Sequence, residues 1–236
     1  MGILMPLLFH VYSFDFFTNL WYIYSMSEWQ IRALREAGNI VESKKINIGE
    51  ICSKIKTLDF VIDVQEIGSH SEGHADFYSD VDLVVNIQNI KPDIALLKVT
   101  EYMKMTYSPL WVDYANSLMP SKFLVSMFIN CENPFCFLDI GIYNHEVINY
   151  NPKRFENDKW VHLTKLWIMN FKYYLRKDNR FPQRFKNMMN KANISDYNDE
   201  LDGFKKLLEL LSAQDTVSAI YIDKLYKQFR RLTFNI

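Results

Sequence analysis

The sequence predicts an α+β fold in which a sheet-bearing region comes first and a helical bundle follows. Runs rich in Val and Ile, residues with high strand preference, fall within the first 150 residues, residues 61–67 and 81–85 being the clearest. After Asn151-Pro152 these signals stop, and apolar residues recur at intervals of three and four, as on one face of a helix. Charge changes sign at the same place: residues 151–236 hold 17 Lys and Arg against 10 Asp and Glu, and residues 1–150 hold 10 against 18. The expected organisation is an apolar N-terminal extension over 1–25, a sheet-bearing domain over 26–150 and a helical domain over 151–236. No flexible Gly/Ser linker separates the last two, so the halves should pack closely.

Composition narrows the class. An apolar content of 49% with 23% charged residues and only seven Gly and seven Pro is that of a globular chain, not a disordered one. Three cysteines, Cys52, Cys131 and Cys136, make an odd count without a Cys-x-x-Cys pair. That argues against a disulfide framework or a zinc site and for a reducing, cytoplasmic compartment. An acidic half set against a basic half suits a site where metal-bound polyphosphate lies between them; solvated helix faces of uneven charge are the plainer alternative.

Residues 1–25 contain one charged side chain, Asp15, and the first basic residue is Arg32. Neither a secretory signal nor a membrane span fits, because the basic flank is missing and Pro6, His10, Asp15 and Asn19 interrupt the apolar run. Four readings stay open: a packed arm, a partner contact, a weak membrane anchor, or an extension upstream of a true start at Met26. The change of composition at Met26 favours the last, or else the packed arm, and no stable membrane association is expected.

Ser27 and Gln30 resemble a capping box ahead of a stripe of Trp29, Ile31, Leu34, Ala37 and Ile40. A second short helix is expected to run to Ile55, with Asn47 as its cap and Ile48, Ile51, Cys52 and Ile55 on one face. Two strands, 61–67 and 81–85, then flank a polar loop. Lys91-Pro92 opens a helix to about Tyr107, a crossover that lets later strands join the same sheet. Residues 111–119 read as irregular. Alternation of Phe123, Val125, Met127 and Ile129 predicts a strand over 122–130, a turn follows at Cys131 to Pro134, and residues 135–143 return, with Asp139 in mid-strand. Helices are expected over 158–176, 182–192, 199–211 and 216–232, their stripes including Trp160, Leu163, Trp167 and Phe171 in the first and Leu201, Phe204, Leu207 and Leu211 in the third.

The loop between the first two strands carries the chemistry. Side chains alternate along a strand, so Asp80 and Asp82 project from one face while Val81 and Leu83 point to the other. Two adjacent carboxylates repel unless a cation lies between them, and Mg2+ takes carboxylate oxygens together with substrate phosphates. At the loop's other end Gly68 lets backbone approach a ligand closely, and Ser69 offers a hydroxyl and an N–H to phosphate oxygens. Asp139, in an apolar strand, requires a cation or a proton if its face is inside; an edge-strand carboxylate facing water is the alternative. His70 and His74, four apart, suit loop residues near a phosphate better than a transition-metal pair, since no Glu or Cys stands at the right offset. Arg176, Lys177, Arg180, Arg184 and Lys186 cluster around Phe181-Pro182, where they hold an anion or, the preferred reading, solvate a helix end.

Gly68-Ser69, a spacer with Gly73 and Asp76, then Ser79-Asp80-Val81-Asp82-Leu83, and a later strand carboxylate, Asp139, together resemble the signature of the DNA polymerase β-like nucleotidyltransferase superfamily, especially the small aminoglycoside-type enzymes. The likeness spans roughly residues 55 to 145. It implies a mixed β-sheet core with helices on it, a helix starting just after Gly68-Ser69, and nucleotide contacts at Gly68, Ser69 and Ser79. It also implies two Mg2+ ions held by Asp80, Asp82 and Asp139 during transfer of NMP from an NTP, ATP being the expected one, to an acceptor hydroxyl. Asp139 is then the nearest general base and Glu146 the runner-up. The expected partners are that nucleotide and a small hydroxyl-bearing acceptor such as an aminosugar antibiotic, with a homodimer left open. Nucleotidylation of a protein or RNA, and a non-catalytic interaction protein with this fold, are the competing readings.

Overall fold

The computed structural model describes residues 47–129, 131–146 and 148–233. The expected extension over 1–25 and the capped helix beginning at Ser27 lie outside them. The fold is α+β. Five strands, β1 (Val61–Ile67), β2 (Val81–Ile87), β3 (Trp111–Tyr114), β4 (Lys122–Phe128) and β5 (Leu138–Tyr143), form one sheet in the order β1-β2-β5-β4-β3. The sheet is mixed: β2 and β5 run parallel, and the other neighbours antiparallel. Six α-helices accompany it among the described residues: α1 (Ile48–Ile55), α2 (Pro92–Tyr107), α3 (Lys159–Leu175), α4 (Phe181–Ala192), α5 (Glu200–Ser212) and α6 (Ala219–Thr233).

Local chemistry sets the helix ends where the sequence puts them. Asn47 caps α1 by accepting from the Glu50 N–H, and Asp158 caps α3 by accepting from the N–H groups of Trp160 and Val161. Pro92 starts α2, and α2 provides the crossover that brings β3, β4 and β5 onto the sheet. One expectation is overturned: part of the stretch read as irregular, 111–119, is the edge strand β3, paired with β4 from Trp111 opposite Phe128 to Tyr114 opposite Val125. Four residues are too few for an alternation signal, and pairing with β4 decides the matter.

The sheet is covered on both faces. On one, α1 and α2 bury Ile51, Ile55, Leu96 and Val99 against Val81, Leu83, Val125 and Ile140. On the other, Trp111, Phe128, Phe135 and Phe137 join Trp167, Phe171, Phe204 and Tyr221 from the helical half in one continuous core. The Phe128 and Tyr221 rings lie 4.2 Å apart, and the Tyr221 hydroxyl donates to the Pro134 carbonyl at 2.6 Å. Helix α3 thus lies between two surfaces, one side facing the other helices and one side facing the sheet. The sheet-facing side sets the site.

Candidate functional site

The pairing register places polar side chains in a row across the sheet. Asp82 stands beside Asp139, Asp139 beside Ser126, and Ser126 beside Asp113, each pair on adjacent strands. Cross-strand partners share a face, so all four side chains point to the side covered by the helical half. Asp80, two residues before Asp82, joins them from the end of the loop. The charge of Asp139 is felt at both Asp80 and Asp82. Asp80, Asp82 and Asp139 therefore share one face and one end of the sheet.

Gly68 lies directly against this row. Its φ of +75° is a left-handed conformation natural to glycine, and a Cβ added there would stand 2.9 Å from Asp82 Oδ2. Beyond it the chain makes turns instead of the helix implied by the resemblance: the Glu72 N–H donates to the Gly68 carbonyl and the His74 N–H to the Ser69 carbonyl. Only six residues separate Gly68 from Ala75, and Gly73 takes a positive φ that ends the turn. The loop then closes on itself. Asp76 accepts from the Tyr78 N–H and from the Ser79 hydroxyl, and its own N–H donates to that hydroxyl. Ser79 is thereby engaged within the loop.

Arg176, just past α3, reaches back to Asp76 through two hydrogen bonds, 3.1 and 2.6 Å, so the helical half clasps the loop. The guanidinium holds the Asp76 carboxyl down at about 2. Ser69, His74, Asp76, Tyr78, Ser79, Asp80, Asp82 and Arg176 line a cleft of about 380 Å³, large enough for part of a nucleotide. Of the basic cluster read from the sequence, Arg176 is the member that lines the cleft. Arg180 pairs with Asp178, and Arg180 and Arg184 lie over the Tyr173 ring at 4.7 and 5.3 Å. His74 pairs with Glu72 at 3.3 Å, while His70 Nε2 is enclosed without a hydrogen-bond partner. Glu146 follows the far end of β5; Tyr143, which ends that strand, is already about 13 Å beyond Asp139 at ~3.3 Å per residue, so Glu146 is removed from the site.

The residues that sequence reading missed come from α3 and β4. The Lys172 ammonium, with its side chain only 4% exposed, contacts Asp80 Oδ1 and lies 4.4 Å from the centre of the Phe137 ring. The Ser126 hydroxyl donates to Asp139 Oδ1. Lys165, one more buried ammonium on α3, bonds Asp113 at 3.0 Å, and His162 Nδ1 meets the other oxygen of the same carboxylate at 3.0 Å. Burial pushes the Asp80 carboxyl up to about 6, with the Asp139 charge adding to it and Lys172 opposing. Burial likewise raises Asp82 and Asp139, and Lys165 is the strongest charge opposing the rise at Asp139. Lys165 and Lys172 are seven apart, two helical turns, which brings both to the acidic face of the sheet. That spacing was a signal available in the sequence, hidden beside the aromatic stripe.

The donor set is all oxygen and suits a hard divalent ion. Its members are carboxylates raised chiefly by burial, and a cation would stabilise them in the charged form. Even so, no group of three or more His, Cys, Asp or Glu side chains stands at metal-binding distance among the described residues. Lys172 and Ser126 hold the carboxylate oxygens that such an ion would take. Among the same residues no helix is long and apolar enough to cross a membrane.

No protein-family model matches the chain, and no curated protein matches it. Among solved structures it is similar to one described as "Structure and function of the polymerase core of TRAMP, a RNA surveillance complex", with 15% identity and a TM-score of 0.33. The match covers 91% of this chain and 62% of that one, so the chain spans less than two thirds of the polymerase chain's length. A superposition of that quality assigns no activity, and the reading of function rests on the residues themselves.

Proposed function

We propose that this protein is a Mg2+-dependent nucleotidyltransferase that moves NMP from an NTP, ATP in the first instance, to a hydroxyl of a small acceptor such as an aminosugar antibiotic. The observation that carries the reading is the pairing of Asp82 with Asp139 on parallel neighbouring strands, beside Asp80 and beneath the Gly68-Ser69 bend. Asp80, Asp82 and Asp139 would hold the metal, which when bound supplies charge neutralisation at the phosphates. Ser69, which lines the cleft, would offer its hydroxyl to the polyphosphate, and the clasp between Arg176 and Asp76 fixes the loop that presents it. The acceptor oxygen attacks the α-phosphorus, the bond to the bridging oxygen breaks, and pyrophosphate leaves. Asp139, hydrogen-bonded by Ser126, would receive the hydroxyl proton.

Incubation with α-labelled NTPs, Mg2+ and a panel of aminoglycosides, lincosamides, tRNA and protein tests this directly. Label should pass to one acceptor class, and Asp82→Asn should lower transfer by about a hundredfold or more with the melting temperature kept. Label on tRNA or protein would move the acceptor to a macromolecule. One observation favours a second reading, a non-catalytic module: Asp80 and Asp139 already have partners in Lys172 and Ser126. Calorimetry with Mg2+ and each NTP separates the two, since such a module has no need to bind nucleotide.

A further inference from the structure

Lys172 holds a carboxylate oxygen that a metal ion at this site would need. Its ammonium meets Asp80 Oδ1, it is enclosed by Phe137, and it comes from the helical half instead of the loop. A carboxylate cannot turn the same oxygen to a buried ammonium and to a divalent ion at full strength. Lys172 cannot simply withdraw either, because an ammonium 4% exposed and stripped of its anion is strongly disfavoured. Whatever displaces it from Asp80 must bring a replacement anion. A bare divalent cation brings none, whereas a metal-bound triphosphate brings several charges, and Asp80 and Asp82 line the cleft where it would lie.

We infer that Lys172 is a resident counter-cation that keeps free divalent metal out of the carboxylate site and yields Asp80 only when metal arrives together with a nucleoside triphosphate. The inference deepens the nucleotidyltransferase reading and rests on it. Lys172 acts here as a gate for the metal, a role separate from any contact with the reacting atoms. The consequence is obligatory coupling: metal and nucleotide bind together, and the empty enzyme does not collect metal. The absence of a ready metal cluster among the described residues fits this state, since Asp80 faces Lys172 and Asp139 faces Ser126.

The test is thermal melting of the full chain at pH 8 with Mn2+ alone, with a non-hydrolysable ATP analogue alone, and with both. Wild type should gain stability only with both ligands. Lys172→Met and Lys172→Gln should melt lower without ligand, yet recover with Mn2+ alone, showing on the order of tenfold tighter Mn2+ binding than wild type. Adding Asp82→Asn to Lys172→Met should abolish that recovery and so locate the ion. Wild type that binds Mn2+ alone as tightly as with the analogue overturns the gate, whether or not the variants fold. Variants no tighter for Mn2+ than wild type overturn it as well. If neither wild type nor variants take Mn2+ even with the analogue, the metal-dependent reading itself fails and the gate falls with it.

Discussion

At the scale of single residues, Asp80 gives the site its pH dependence. Its carboxyl is raised to about 6 chiefly by burial, with Asp139 beside it. Between the ordinary carboxylate range and pH 6 the folded protein keeps a proton that the unfolded chain has released. From this group alone, stability therefore falls as pH rises through that window. Metal binding has the opposite slope, because the ligand is the ionised form. The apparent affinity for Mn2+ with nucleotide analogue should rise by about tenfold from pH 5 to pH 7, following the ionised fraction of a group titrating near 6. Calorimetry across that range measures it, and Asp80→Asn should remove the steep part of the profile along with most of the affinity. Asp80, Asp82 and Gly68 were legible in the sequence because their spacing within one loop determines their faces. Lys172 was not, because a lysine next to Phe171 in a helix reads as solvated until the sheet beside it is known.

At the scale of elements, β3 and α3 explain both the error and the missed residues. Trp111 and Asp113 of the short strand point to the helical half, one into the core and one to Lys165. Asp113 is fully buried and Lys165 nearly so, and His162 completes the carboxylate's partners. A buried ion pair contributes little against a well-packed apolar pair, but losing one member leaves an uncompensated charge. Lys165→Met should therefore destabilise the fold by about 3–5 kcal/mol. The double substitution with Asp113→Leu should cost clearly less than the two single changes added together. Urea melts of the four proteins measure the coupling, and additive effects would show that the pair does not join α3 to β3. The sequence predicted helix 158–176 from its aromatic stripe, and α3 spans most of it; the charged side of that helix had no visible counterpart in sequence, since its partner lies 52 residues earlier on an edge strand.

At the scale of the whole molecule, the acidic and basic halves meet across the sheet. The charge contrast read from the sequence becomes Asp80 with Lys172, Asp113 with Lys165 and Asp76 with Arg176. Alongside these pairs, Trp111, Phe128, Phe135 and Phe137 share one core with Trp167, Phe171, Phe204 and Tyr221 of the helices that follow residue 158. A chain cut at residue 150 would expose those four aromatic rings and strip Asp80 and Asp113 of their cations. Each large aromatic is worth roughly 1.5–3 kcal/mol of burial, and the orphaned buried carboxylates cost several more, which together matches the whole stability of an ordinary domain. The 1–150 fragment is therefore expected not to fold alone, and the intact chain to unfold in one transition, seen at the same midpoint by near-ultraviolet and far-ultraviolet circular dichroism. A fragment that shows native near-ultraviolet signal and binds nucleotide would mean that the carboxylate face is organised without α3, and that the cations of the helical half are accessories to the site instead of part of its construction.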